Sequence, residues 1–347
     1  MLIDRFGRHI TYLRVSVTAN CNLHCIYCRP LGSPQPQTWG EELSFDEIAA
    51  VARSAADLGI RHLRLTGGEP LMRADLPALV RKLSAIPGID DLSMTTNGQL
   101  LAEHVAELAA AGLQRVNVSL DSLDAETYRS LTGGGSLKRV WAGIEAAQRA
   151  PFSPLPVGEG PGVRAPLSAP RGPGFQSGTV KLNVVLVRGR NDCEILQFAE
   201  LARDRALPVR FIELLPMGPA ASQPDPLFYP AEEVLRKLRT LPLQPVAQSG
   251  PGPARLWRLG RGTIGIISSV TTPPCPSCNR LRLTAEGKLR PCLTDSTEID
   301  LRPALAAPQP QAAIAEALQE AVAVKPAQGA HLTGQWTGGP AMCRVGG

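Results

Sequence analysis

Residues 12–28, "YLRVSVTANCNLHCIYC", join a strand-like run to a loop holding three cysteines, Cys21, Cys25 and Cys28, within eight positions. The run "YLRVSVT" alternates polar and apolar positions and is rich in β-branched residues, the pattern of a strand. The same order of strand, loop and helix recurs downstream. Ser44 and Glu47 make a capping box that opens an amphipathic run to Gly59, "HLRLT" is strand-like, and "ADLPALVRKLSAI" follows it as a helix. "DLSMTTN" leads to "LLAEHVAELAAAG", "RVNVSL" to a segment ending in "WAGIEAAQRA", "TVKLNVVLV" to "ILQFAELARD", and "PVRFIEL" closes the series. Six such units predict an α/β fold, a parallel sheet with helices outside, open or curled toward a barrel. Chemistry in these folds sits on loops after strand C-termini, where the cysteine loop, "TGGEP", "TTNG", "SLDS" and "ELLPMG" all fall. Loops also collect Gly, Asn and Asp for reasons of turn geometry, so each loop alone is a weak signal.

With 347 residues and 44% hydrophobic composition, the chain can bury a barrel-sized core and carry an appendage. The reading divides it into a barrel domain over 1–218 and an extension over 219–347. The formal charge of +5 is spread along the chain, which argues against a nucleic-acid partner and suits a small anionic substrate. Residues 1–20 contain Asp4, Arg5 and Arg8 instead of a signal-peptide core, and no run of about 18 apolar residues offers a membrane span. A soluble cytoplasmic protein is expected. Residues 151–178 are so rich in Pro and Gly that they read as a disordered insertion. Beyond Gly218, "AEEVLRKLRTL" reads as a helix, "TIGIISSV" as a strand and "RLRLTAEGKLRPCL" as a hairpin.

The eight cysteines cluster, three at 21, 25 and 28 and three at 275, 278 and 292, with Cys193 and Cys343 apart. In a reduced compartment, such clustering points to metal more than to disulfides. A structural zinc site closes with four protein ligands. Each trio falls one short, and His24 shares a tight loop with Cys25 and points elsewhere. A [4Fe-4S] cluster on three thiolates leaves one iron open to a small molecule. Ligand count therefore favours iron–sulfur at both trios, with zinc as the alternative.

The spacing C-x-x-x-C-x-x-C in "CNLHCIYC", with "TGGEP" one strand later, resembles the signature of radical S-adenosylmethionine enzymes. "DRFGRHITYLRVSVTANCNLHCIYCRP", "LRLTGGEPLMR", "VNVSLDSLD", "VKLNVVLVRGRND", "RFIELLPMG", "CPSCNRLRLTAEGKLRPCL" and the terminal "GG" extend the resemblance to the GTP 3′,8-cyclase family of molybdenum cofactor biosynthesis, over nearly the whole chain except 151–178. This resemblance implies a partial (β/α)6 TIM-type barrel with a C-terminal extension, and a lyase. It implies two [4Fe-4S] clusters, one on Cys21, Cys25 and Cys28 that binds S-adenosyl-L-methionine, one on Cys275, Cys278 and Cys292 that meets the guanine of GTP. Tyr27, Gly68, Ser119 and Met217 match the positions that hold the cosubstrate. Arg14, Arg64, Thr95, Lys181, Arg280, Leu281 and Arg282 match substrate positions, and Arg14, Arg280, Arg282, Gly346 and Gly347 match the catalytic set. Further implications are a homodimer, a reduced electron donor and, downstream, cyclic pyranopterin monophosphate synthase.

Bland readings stand beside these: loop packing for the cosubstrate residues, core filling for Met217, salt bridges for Arg14 and Arg64, and a solvated face for Arg280 and Arg282. His62, where the family often has lysine, predicts one weaker phosphate contact, and Ala341 replaces a common arginine with Arg344 nearby. Cys193 and Cys343 are expected to be passive. Two other functions share part of the pattern: a peptide-modifying radical maturase, and an iron–sulfur electron carrier or sensor. Anaerobically purified protein is expected to contain iron and sulfide; tightly bound zinc with little of either would remove the basis for this reading.

Overall fold

The computed structural model describes residues 1–29, 40–152, 179–217, 227–247, 252–333 and 342–346. Six parallel strands lie side by side in chain order: β1 (Tyr12–Ser16), β2 (His62–Thr66), β3 (Asp91–Thr96), β4 (Arg115–Ser119), β5 (Val180–Leu186) and β6 (Val209–Glu213). Helices α1 (Phe45–Asp57), α2 (Leu76–Ser84), α3 (Leu101–Ala110), α4 (Ala125–Thr132), α5 (Leu137–Arg149) and α6 (Ile195–Arg205) intervene. The capping box opens α1 as read: Glu47 N donates to Ser44 Oγ at 3.2 Å and Ser44 N to Glu47 Oε2 at 2.7 Å.

Strand side chains alternate between faces. Leu13, Val15, Leu63, Leu65, Leu92, Met94, Val116 and Val118 are fully buried in the hydrophobic core. The intervening Arg14, Arg64, Thr95, Arg115 and Ser119 line an interior cavity instead. One layer of apolar packing thus holds a second, polar layer in place.

The C-terminal strands do not form a separate sheet. After β6 come β7 (Gln244–Val246), β8 (Arg255–Leu259), β9 (Gly262–Ile267), β10 (Arg280–Leu283), β11 (Lys288–Arg290) and β12 (Ile299–Asp300). Strand β9 pairs parallel with β6, and β10 pairs parallel with β1 on the opposite side. All twelve strands share one sheet, ordered β12-β11-β10-β1-β2-β3-β4-β5-β6-β9-β8-β7. Ile267 of β9 and Arg280 and Arg282 of β10 line the same cavity as the six central strands, so the sheet curls into a partial barrel. The predicted hairpin is present as β10 and β11, with Leu283 opposite Leu289. Residues 153–178, most of the expected disordered insertion, lie outside the described residues. Among the described residues, no helix is long and apolar enough to cross a membrane.

Glu213, at the end of β6, is 3% exposed and ties the two halves together. Its carboxylate accepts from Ala231 N at 2.7 Å, Val270 N at 2.8 Å and Thr271 N at 2.9 Å, and from the Thr271 hydroxyl. Removing it strands several buried donors. Glu213→Ala is expected to lose roughly 3–5 kcal/mol of stability, read as a lower urea midpoint, and a loss within 1 kcal/mol would refute this role.

Candidate active site

The "TGGEP" loop is pressed against the segment that enters the first cysteine loop. Gly68 N donates to Thr18 O at 2.8 Å and Glu69 N to Asn20 O at 2.7 Å. A Cβ on Gly68 would lie 2.2 Å from Asn20 O, so no side chain fits without moving backbone. Glu69 is fully buried and accepts from Leu71 N, Asn97 N and the Thr96 hydroxyl; burial raises its pKa to about 7. The glycines and this carboxyl fix three loops relative to one another.

Cys21, Cys25 and Cys28 line the cavity, and burial raises the Cys21 thiol to about 11 and Cys25 higher still. Among the described residues, no three Cys, His, Asp or Glu side chains converge as ligands of a single ion. In a multi-iron cluster each thiolate meets its own iron, and the three thiols of this loop are a donor set of that kind. His24 stands apart as expected, its Cβ packed against Gly133 at the end of α4. Cys343 is not remote: it is buried, lines the cavity and shares a hydrogen bond with Cys28, which draws its pKa down to about 7. Nothing in its sequence position announced that contact. Cys193 is exposed.

The interior, about 400 Å³, is lined by Arg14, Arg64, Arg115, Lys181, Arg210, Arg280 and Arg282. Parallel register places Arg14 beside Arg64 on one side and Arg282 on the other. Arg64 donates from Nε to Ser93 Oγ at 3.2 Å and packs its guanidinium over the Tyr12 ring. Burial, with Arg282, Arg64 and Arg280 nearby, holds Arg14 well below the ordinary arginine range. Burial and then Arg210, Arg115 and Arg64 push Lys181 down to about 6. Burial with Arg64 and Arg115 nearby lowers Arg210 to about 10, and burial with Arg280 and Arg290 nearby does the same to Arg282. A buried set of neighbouring cations of this kind is suited to an anion. Arg115 and Arg210 escaped the sequence reading, although their inward register follows from alternation with Val116 and Phe211. Arg115 forms an ion pair with Asp91 as well. His62 is not among the residues that line the cavity; its ring lies edge-on to Tyr12 with Nδ1 3.8 Å from Asp91 Oδ2.

Tyr27, Gly68, Ser119 and Thr95 line the cavity. The Tyr27 hydroxyl donates to Asp121, whose pKa burial raises to about 6. Met217 and Leu281 are buried and do not line the cavity, where Leu214 and Leu215 stand instead. Arg282 donates to the carbonyls of Val345 and Gly346 and so seats the tail. Gly346 has φ +68°, and a Cβ there would lie 2.2 Å from Thr66 Oγ1. Gly347 and Ala341 lie outside the described residues. Arg344 pairs with Glu286 and Glu298. Cys275, Cys278 and Cys292 flank the cavity, which reaches their neighbours Arg280 and Leu293.

A partial barrel whose three-cysteine loop shares a cavity with buried cations is the arrangement of a radical S-adenosylmethionine protein, and the Radical SAM superfamily model matches residues 15–160. The Molybdenum Cofactor Synthesis C model matches residues 207–331. The chain is 43% identical over 348 residues to the GTP 3′,8-cyclase of Moorella thermoacetica, covering 99% of each, and 43% identical over 349 residues to that of Pelotomaculum thermopropionicum, again covering 99% of each. It belongs to the GTP 3′,8-cyclase family. In fold, it resembles Streptococcus suis SuiB bound to precursor peptide SuiA, with a TM-score of 0.57 and 14% identity, over 85% of this chain and 63% of that longer one.

Polyanion binding restores the charge of Lys181, so it is expected to take up close to one proton near pH 8. Lys181 is already charged below about pH 6, and its contribution to affinity fades as pH rises from there toward the ordinary lysine value. Calorimetry with tripolyphosphate in buffers of different ionisation enthalpy measures the uptake. Equal proton counts for wild type and Lys181→Met would refute the assignment.

Proposed function

We propose that this chain converts GTP to (8S)-3′,8-cyclo-7,8-dihydroguanosine 5′-triphosphate, the first step of molybdenum cofactor biosynthesis. The observation that carries this reading is a single cavity in which a three-thiol loop faces a set of buried, mutually repelling cations. Cys21, Cys25 and Cys28 would hold a [4Fe-4S] cluster, with Tyr27, Gly68, Ser119 and the main chain of Met217 against S-adenosylmethionine. When bound, such a cluster would supply the electron for reductive cleavage of the sulfonium carbon–sulfur bond, the chemistry needed to start hydrogen abstraction at the 3′ position of GTP. Cys275, Cys278 and Cys292 would hold a second cluster near the guanine.

The chain's own groups do the positioning. Arg14, Arg64, Lys181 and Arg210 hold the triphosphate, with Thr95 beside them. Arg280 and Arg282 sit nearer the second trio, with Leu281 contributing through its main chain. Arg282 also anchors the tail at Val345 and Gly346, beside the space for the reacting ribose. Enclosure by the barrel keeps water from a reactive carbon radical, and fixed placement supplies the proximity the hydrogen transfer needs. A cytoplasmic homodimer fed by a reduced electron donor, with cyclic pyranopterin monophosphate synthase acting next, completes the proposal.

Reduced, reconstituted protein given S-adenosylmethionine and GTP deuterated at C3′ is expected to yield 5′-deoxyadenosine carrying deuterium and a cyclised nucleotide. Arg14→Ala should cut turnover at least about tenfold, the cost of losing roughly 1.4 kcal/mol of transition-state positioning. No 5′-deoxyadenosine at all would indicate an electron carrier. Deoxyadenosine without deuterium, with modified peptides instead, would indicate a maturase.

A further inference from the structure

Lys325 is 1% exposed, an extreme degree of burial for an ammonium group. It follows the helix Pro310–Ala323 and points beneath the second cysteine trio. Its Nζ donates to Arg280 O at 2.8 Å and to Pro291 O at 2.5 Å. Arg280 lies two residues past Cys278, and Pro291 immediately precedes Cys292. One ammonium therefore ties together the two segments that carry these thiols.

Arg8 holds the third segment. It donates to Cys275 O at 2.8 Å, and to Ala327 O at 3.1 Å and Pro326 O at 2.6 Å, the two residues after Lys325. The two cations differ in one respect. Asp4 sits 2.5 Å from Arg8 Nε and cancels its charge, whereas the anionic partners facing Lys325 are the thiols of Cys278 and Cys292. Among the described residues, no carboxylate forms an ion pair with Lys325. Burying an ammonium on two carbonyls costs several kcal/mol, and an apolar side chain of that length would hold the fold more cheaply. A permanent anion beside it removes the difficulty.

We infer that Lys325 is a positioning residue for the second centre: it clamps the chain just after Cys278 and just before Cys292, and its charge offsets that of the thiolate-bound cluster and favours the reduced form. This rests on the second-cluster reading above. Groups that donate to or charge the surroundings of cluster sulfurs set both retention and potential.

The test uses the full chain, reconstituted anaerobically, with Cys21, Cys25 and Cys28 replaced by Ala so that one centre remains. With Lys325 intact, about four irons per chain are expected, and none would sink the second-cluster reading itself. Lys325→Gln, which still donates, and Lys325→Met, which does not, are each expected to lower the reduction equilibrium constant about tenfold, a midpoint about 59 mV more negative for one electron. Lys325→Arg should stay near the parent value. A Gln variant with the parent's iron content and potential overturns the inference. Should Gln and Met both lose the iron, the Arg variant decides: retention supports the charge argument, and loss overturns it.

Discussion

Placing like charges side by side inside a sheet is unfavourable, and this structure does so with Arg14, Arg64 and Arg282 on adjacent parallel strands. The apolar layer outside the strands, with Leu13, Leu63 and Leu283 at or near full burial, supplies the stability that lets the inner layer be strained electrostatically. Much of what surrounds the cavity follows from that tension. Burial and neighbouring cations disfavour the charged form of Lys181 and leave the buried arginines repelling one another, a repulsion that a polyanion placed among them would relieve.

The central six strands were legible because each is local: a β-branched run, a turn signal and an amphipathic helix within about thirty residues. The cysteine loop and "TGGEP" were equally plain, since Gly68 can be nothing larger against Asn20. What escaped the reading depends on pairing between distant segments. The hairpin at Arg280 reads correctly by itself, but nothing in it says that it lies parallel to β1. Cys343 gave no sign of lying beside Cys28, because that contact joins residues more than three hundred positions apart in the chain. Arg115 and Arg210 were hidden for another reason: alternation shows which face they share, and only the curl of the sheet shows that this face is interior.

Arg282 is asked to do two things. It borders the space proposed for the nucleotide and holds the carbonyls of Val345 and Gly346. Arg344 continues the attachment through Glu286 and Glu298, and Glu298 in turn meets Arg290 beside Cys292. Tail, cavity wall and second trio are therefore joined by one run of polar contacts. The tail, which lends Met342 and Cys343 to the cavity lining, belongs to the same network that orders the wall.

The way both flanks of the six-stranded core are covered bears on how the chain is made. Tyr12 in β1 finds its second partner at Arg280, and Val209 in β6 finds its own at Ile264. During synthesis, the β1 flank stays open, with its amides and carbonyls available to any passing strand, until most of the polypeptide has left the ribosome. Pairing across so long a separation is slow to close. The late-arriving strands thus act as sealing pieces, and the nascent barrel is at its most adhesive just before they dock.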